Sequence, residues 1–220
     1  MAVNGELHSS LDTQIYDADA FDSMAVINSE LWNQSQEDEK ELMTVDKVFL
    51  QEGTLEDLGP VFLKAAQTGN LDIVKGIFGR FKGVISFEDE DGYTALHRAS
   101  YNGHVSTAEF LLQCGANVMN KTKLGWTPLH SACRWNKVEV ASLLLQNGAD
   151  INAGTDGDHT PLHLAATNEH AKNTLELLLR HRDIDPELKN CNGDTGYDLA
   201  VRHGPLSYLF ELVDESLTVN

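Results

Sequence analysis

Basic residues are scarce in this chain of 220 residues, which has 34 acidic side chains, 16 basic ones and a net charge of −18. A protein that binds nucleic acid directly needs a broad basic surface to neutralise phosphates. The charge balance therefore argues against a direct nucleic-acid reader. Long hydrophobic runs are missing as well, and none approaches the roughly 18 apolar residues of a membrane span. We therefore expect no insertion into a membrane.

Cysteine is also rare, with three residues in the chain: Cys114, Cys133 and Cys191. An odd number of cysteines at unrelated places is not typical of a secreted disulfide framework. The acidic start of the chain differs from a secretory signal, which is basic and then apolar. We therefore expect reduced thiols in the cytosol or the nucleus.

Motifs for catalysis and metal binding are missing from the sequence. It has no phosphate-binding Gly-Lys-Ser/Thr loop, no Cys-x-x-Cys pair and no His-Glu-x-x-His run. Cys133 follows His130 by about one helical turn, but this spacing alone does not orient a base toward a nucleophile. We therefore predict that the chain is not an enzyme and that it carries no cofactor and no metal.

One short element recurs at a fixed period. Thr-x-Leu-His begins at Thr94, Thr127 and Thr160, so that both intervals are 33 residues. Each copy leads into a leucine-rich segment, and Gly115 and Gly148 follow the first two of these segments. A proline after the threonine favours a helix start, and a glycine after the leucines favours a helix stop. Each unit is therefore predicted to form a turn, a short helix, a turn, a longer helix and a loop.

The period and the residues resemble those of the ankyrin-repeat family. The resemblance implies an all-α fold, an ankyrin-repeat solenoid in which stacked helix-turn-helix units with hairpin loops share one elongated core. The predicted ankyrin domain is 58–220, with an N-terminal capping repeat at 58–90, full repeats at 91–123, 124–156 and 157–192, and a C-terminal capping repeat at 193–220.

The third repeat and the C-terminal repeat depart from this pattern. The interval from Thr160 to Thr195 is 35 residues, so the loop that precedes Thr195 should differ in shape from the loops before it. The last unit also has Asp198 where the other units have histidine.

The repeated histidines are His97, His130 and His163. Stacking would separate them by a whole repeat, which is too far for shared ligation of a metal at about 2 Å. In the family this histidine bonds to the threonine of its repeat and to neighbouring backbone. The resemblance therefore implies a structural role.

Residues 1–57 differ in composition from the rest of the chain. They contain 14 acidic and two basic residues, a net charge of −12, with small apolar clusters such as Leu31-Trp32. Acidic segments without a sustained hydrophobic period usually stay disordered. We predict a mostly disordered segment and leave a short helix over 38–50 open. Two interpretations remain: a solvating leader, or an acidic and apolar segment that folds on a partner.

The family binds partners through the hairpin tips and the ends of the first helices, on the concave side. The corresponding positions here are rich in residue types that dominate binding energy at interfaces. We expect the aromatic side chains among them to be exposed, although packing of a tryptophan between repeats is the competing interpretation. The predicted partner-binding residues are Tyr93, Tyr101, Asn102, Trp126, Arg134, Trp135, His159, Thr167 and Asn168.

These observations predict a non-enzymatic protein-binding module and a monomer, with a protein partner whose identity the sequence does not reveal. A closer likeness within the family, carried by 125–136, 140–142, 174–179 and 208–211, implies a nuclear regulator that promotes transcription. The nucleus, with the cytoplasm as a further compartment, is therefore the expected location. The alternative is a cytosolic adaptor, assembly factor or inhibitor whose acidic tail competes for a basic partner surface.

Overall fold

The structure is a computed structural model that describes residues 54–217, with the side chains of 54–212. The predicted helix over 38–50, and all of the predicted acidic segment except its last four residues, lie outside the described residues. Within 54–217 the chain forms ten α-helices and no strand. An isolated bridge between Glu88 and Thr94 is the one extended pairing in this part of the chain. The prediction of an all-α ankyrin solenoid is confirmed.

The helices come in pairs along the described chain. They are α1 (Leu55–Thr68), α2 (Leu71–Arg80), α3 (Ala95–Asn102), α4 (Val105–Gln113), α5 (Pro128–Arg134), α6 (Val138–Gln146), α7 (Pro161–Ala166), α8 (Lys172–Leu179), α9 (Gly196–His203) and α10 (Tyr208–Leu217). Short 3-10 helices at Lys82–Ser86 and Pro205–Ser207 join α2 to the first hairpin and α9 to α10.

A capping box starts the first helix of every pair. Thr94 precedes α3, and its box closes with His97 three residues later. The same threonine and histidine pairing begins α5 and α7. Because a capping box satisfies amide groups that have no partner inside the helix, it defines where the helix begins. Ala95 therefore starts α3 as Pro128 starts α5, although the first full repeat lacks the proline.

The helix α1 begins earlier than the sequence pattern indicated. It starts at Leu55, three residues before the predicted domain boundary, and it contains Pro60 in its interior. Thr54 and Asp57 form the capping box, in which the backbone nitrogen of Thr54 donates to Asp57 Oδ2 over 3.0 Å. Asp57, the last residue of the predicted acidic segment, is therefore part of a helix start.

The helix pairs stack in two layers. The first helices of consecutive pairs pack on one another from α1 through α3, α5 and α7 to α9, and the second helices pack from α2 to α10 in the same order. Leu111, Leu144 and Leu178 lie at equivalent places in the second layer, and none of them is exposed. A fully buried leucine contributes roughly 1.5–3 kcal/mol relative to an exposed one. The core is therefore continuous along the stack, as expected when one repeat cannot bury its apolar side alone.

The loop after α8 differs from the loops after α4 and α6. Those two helices are followed by Gly115 and Gly148, with left-handed φ angles of +89° and +87°. The cap residue of α8, Arg180, is instead followed by His181, which has no positive φ angle. Asn152 of the preceding repeat holds the loop by donating to the carbonyl oxygen of Asp183 over 2.7 Å. The longer interval is therefore absorbed in a loop that is tied to its neighbour.

Candidate functional site: the hairpin turns and the first-helix ends

Hairpin turns form a row beside the first layer of helices. Each turn is closed by a backbone bond, such as the one from the Thr122 nitrogen to the Trp126 oxygen at 2.9 Å. Neighbouring turns are also linked, because the Lys123 nitrogen donates to the Asp91 oxygen and the Asp156 nitrogen donates to the Leu124 oxygen. The turns therefore hold their side chains at a regular spacing.

The repeat histidines tie each first helix to the next hairpin. The backbone nitrogen of Thr94 donates to His97 Nδ1 over 3.2 Å, so that Nε2 carries the proton. That Nε2 donates to the carbonyl oxygen of Trp126 over 3.0 Å. His130 and His163 repeat this geometry toward the carbonyl oxygens of His159 and Asp194, at 2.9 and 3.0 Å. These histidines connect repeats, which is the structural role that the resemblance implied.

Burial keeps these histidines neutral. It lowers the pKa of His97 and of His130 from 6.5 to about 4, and it lowers the pKa of His163 in the same direction. An imidazole with one nitrogen accepting and the other donating inside the core is fully satisfied only in the neutral form.

The side chain of Cys133 is not accessible to solvent in the folded protein. Its side chain is fully buried, and burial raises the pKa of its thiol. A reactive cysteine needs a lowered pKa and access to solvent. Within 54–217, no group of three or more His, Cys, Asp or Glu side chains is arranged to hold a metal ion. No helix in this range has both the length and the apolar character needed to cross a membrane.

Three of the predicted site residues form a cluster that crosses two repeats. The rings of Tyr101 on α3 and Trp135 after α5 lie 4.8 Å apart between centroids. The guanidinium of Arg134 lies 5.8 Å from the centre of the Trp135 ring. All three side chains are half-buried. The cluster therefore presents aromatic faces and a cation that are already held in place.

The cluster continues into the third repeat through polar contacts. Arg134 Nη1 donates to Thr167 Oγ1 over 3.1 Å, and Asn168 Nδ2 donates to the carbonyl oxygen of Arg134 over 2.9 Å. The side chain of Asn102 bonds within its own helix, where its Nδ2 donates to the carbonyl oxygen of Arg98. The sequence positions follow from the period, since Tyr101, Arg134 and Thr167 are spaced by 33 residues.

Tyr93 lies at the first-repeat end of this surface. Its ring is stacked by Arg98, whose guanidinium lies 4.6 Å from the ring centre and also pairs with Asp89. Burial raises the pKa of Tyr93, and the pKa of Tyr101 is raised by burial and then by the neighbouring Tyr93.

Of the four predicted tyrosine and tryptophan side chains, the structure buries Trp126 and leaves Tyr93, Tyr101 and Trp135 half-buried. Trp126 is 9% exposed, and its ring lies 6.3 Å from that of His130. His159 is half-buried 6.0 Å from His163, and Asn190 Nδ2 lies 3.3 Å from its Nε2. The reason is that a hairpin-tip ring packs on the repeat histidine that follows it. Trp126 is therefore chiefly a packing residue.

Sequence reasoning missed Arg98 and Asp89. Arg98 follows the repeat histidine directly, at the position that Ser131 and Leu164 occupy in the next two repeats. The sequence offered one signal for this contact, the spacing of five residues between Tyr93 and Arg98. At this spacing a residue in the first turn of the helix can lie beside the hairpin residue that precedes the helix. We call Tyr93, Arg98, Tyr101, Arg134 and Trp135 the inner strip.

Comparison with known protein families agrees with this geometry. The family model described as ankyrin repeats (3 copies) matches residues 62–155, and the model of a single ankyrin repeat matches residues 157–191. The chain belongs to the ankyrin-repeat family, which supplies protein-protein interaction modules.

Curated relatives extend the likeness over most of the chain. The chain is 57% identical over 166 residues to ankyrin repeat domain-containing protein 49 of Bos taurus, which covers 75% of this chain and 70% of the relative. The protein of that name from Homo sapiens is 51% identical over 187 residues, or 84% of this chain and 78% of the relative. The one from Drosophila melanogaster is 49% identical over 156 residues, or 71% and 73%.

Proposed function

We propose that the chain binds a partner protein through the inner strip. The observation that carries this proposal is the cluster of Tyr101, Trp135 and Arg134, in which an aromatic pair and a cation from two repeats are packed together. Tyrosine, tryptophan and arginine are the residue types that dominate binding energy at interfaces. The side chains lose little rotational freedom on binding because their neighbours already hold them.

The chemistry of the inner strip favours a particular kind of partner segment. The aromatic faces favour apolar or aromatic side chains, and the half-buried Arg98 and Arg134 favour carbonyl or carboxylate oxygens. Asp89 offsets part of the charge of Arg98. We therefore expect an extended or helical protein segment with an apolar anchor, and not a phosphate backbone.

We propose that this binding takes place in the nucleus and that the chain promotes transcription there. Its support is the acidic and apolar character of residues 1–57, which carry −12 of the total charge of −18. Such a segment suits recruitment of a second partner, while the inner strip holds the first. The same charge supports the alternative, a cytosolic adaptor, assembly factor or inhibitor in which this segment competes for a basic partner surface.

The test of the inner strip is crosslinked affinity capture from cells with the full chain and with a Tyr101→Ala/Trp135→Ala variant. Leu55→Ala is the matched control, because Leu55 is a large apolar residue of α1 that is 41% exposed and lies outside the inner strip. Each form is first checked for an unchanged circular dichroism spectrum. We expect the main partner to be lost from the double variant alone. Retention of the partner by the double variant would refute the inner strip as its site.

A second comparison separates the two roles of the acidic segment. Residues 1–57 tethered to a DNA-binding domain should activate a reporter gene, and the full chain should be enriched in nuclei. If the segment does not activate the reporter and the full chain inhibits a basic partner in a salt-sensitive manner, the alternative is supported instead.

A further inference from the structure

Four large apolar side chains are exposed together at the C-terminal end of the stack. Tyr197 and Val201 on α9 are 39% and 56% exposed, and Tyr208 and Leu212 on α10 are 41% and 55% exposed. In each helix the two residues are four apart, so they share one helix face. We call these four residues the end face.

The α9 members of the end face occupy positions that are buried in the earlier full repeats. Counted from the capping threonine, Tyr197 corresponds to Leu96, Leu129 and Leu162, which are 1%, 0% and 1% exposed. Val201 corresponds to Ser100, Cys133 and Ala166, which are 0%, 0% and 3% exposed.

The α10 members follow the same rule. Counted from the capping threonine, Tyr208 corresponds to Thr107 and Val140, and Leu212 corresponds to Leu111 and Leu144. In the third full repeat the second helix begins one residue later, at Lys172, so the corresponding residues there are Thr174 and Leu178. Thr107 is 1% exposed, and the other five residues are not exposed at all. All four positions of the end face are thus positions that the fold buries wherever a further repeat is stacked on them.

The interface before the end face shows what kind of element covers such positions. The helix pair α9 and α10 packs on α7 and α8. The approach is close, since a Cβ atom placed on Gly196 at the start of α9 would lie 3.0 Å from Leu162 Cγ. A helix pair that offers small residues at the contact therefore fits these positions.

The last repeat lacks the polar half of the link between repeats. Where earlier repeats donate from a histidine Nε2 to the next hairpin, Asp198 accepts from the backbone nitrogen and Oγ1 of Thr195, at 2.9 and 2.8 Å. A carboxylate cannot donate to a hairpin carbonyl. The end face therefore has apolar side chains at the positions of a repeat interface, but it lacks the side-chain donor that would bond to the hairpin of a following repeat.

We propose that the end face is a docking site for an antiparallel helix pair of a partner protein, stacked on α9 and α10 as α9 and α10 stack on α7 and α8. The occupant has an apolar surface with small side chains and needs no ankyrin hairpin. Solvent-exposed apolar residues concentrated in this way are typical of an interaction surface. This inference does not depend on the inner strip, which lies on other elements.

The test places the photo-crosslinking amino acid p-benzoylphenylalanine at position 201 or 212 of the full chain in cells. Val105 of α4, which is 38% exposed, is the matched control position. Crosslinked peptides are sequenced. We expect the two end-face positions to label two helices of one helical hairpin in the same protein, and position 105 not to label that protein.

A charge at the end face should remove this labelling. Val201→Glu should lower the crosslink yield from position 212 by about tenfold or more, because a buried unpaired carboxylate opposes docking. Val105→Glu should leave that yield unchanged, and both variants should keep the melting temperature of the parent chain, since both positions are exposed. Crosslinks to a second copy of this chain, no enrichment over position 105, or an unchanged yield in Val201→Glu would each overturn the proposal.

Discussion

Acidification from about pH 7.5 to about pH 5 should weaken the repeat stack through His97 and His130. Both side chains are fully buried, and each bonds through both ring nitrogens to backbone groups. Burial lowers the pKa of each from 6.5 to about 4. The unfolded chain therefore binds protons that the folded chain does not accept over this range, and the free energy of unfolding falls as the pH falls.

The size of the effect follows from the two pKa values. A histidine with a pKa of 6.5 unfolded and about 4 folded loses about 2 kcal/mol of stabilisation between about pH 7.5 and about pH 5. The two histidines together should therefore cost about 4 kcal/mol. His163 shifts in the same direction and adds to the loss. Asp194 and Asp198 have pKa values lowered below 3.8, so they contribute only at lower pH.

The assay is urea unfolding followed by circular dichroism at several pH values across this range. His130→Gln should be less stable than the parent at neutral pH, because it loses bonds inside the core, but its stability should fall by about 2 kcal/mol less on acidification. His170→Gln is the control, because the His170 side chain is 83% exposed. An equal fall in the parent and in His130→Gln would refute the assignment of the pH dependence to the buried histidines.

Three further predictions concern the repeats themselves. Leu144→Ala should lower the free energy of unfolding by about 2–5 kcal/mol in urea titrations, since Leu144 is fully buried in the second layer. Gly125→Ala should destabilise more than Gly115→Ala in the same titrations: both have positive φ angles, but a Cβ on Gly125 would lie 2.7 Å from a backbone nitrogen of the next hairpin, whereas Gly115 faces open space. Mass spectrometry after iodoacetamide treatment should find Cys191 labelled in the native protein and Cys133 labelled only after unfolding; native labelling of Cys133 would contradict its burial.

The candidate site was predictable in part. The period of 33 residues placed Tyr101, Arg134 and Thr167 at one equivalent position, and the structure links them with Trp135 and Asn168 across three repeats. The sequence did not indicate that Arg98 stacks on Tyr93, because that contact depends on how the first helix returns past its hairpin. The binding role of these residues stays a prediction.

The sequence by itself determined the repeat period, the helix starts at the capping threonines and the all-α class, because these depend on residues a few positions apart. Only the tertiary structure decided which apolar residues are covered. Trp126 is buried and Leu212 is exposed, although both positions look apolar in a repeat pattern. The physical reason is that burial depends on what packs on each position. Trp126 is enclosed beside His130 within the stack, whereas Leu212 lies at the end of the stack, where no further repeat packs on it within the described residues.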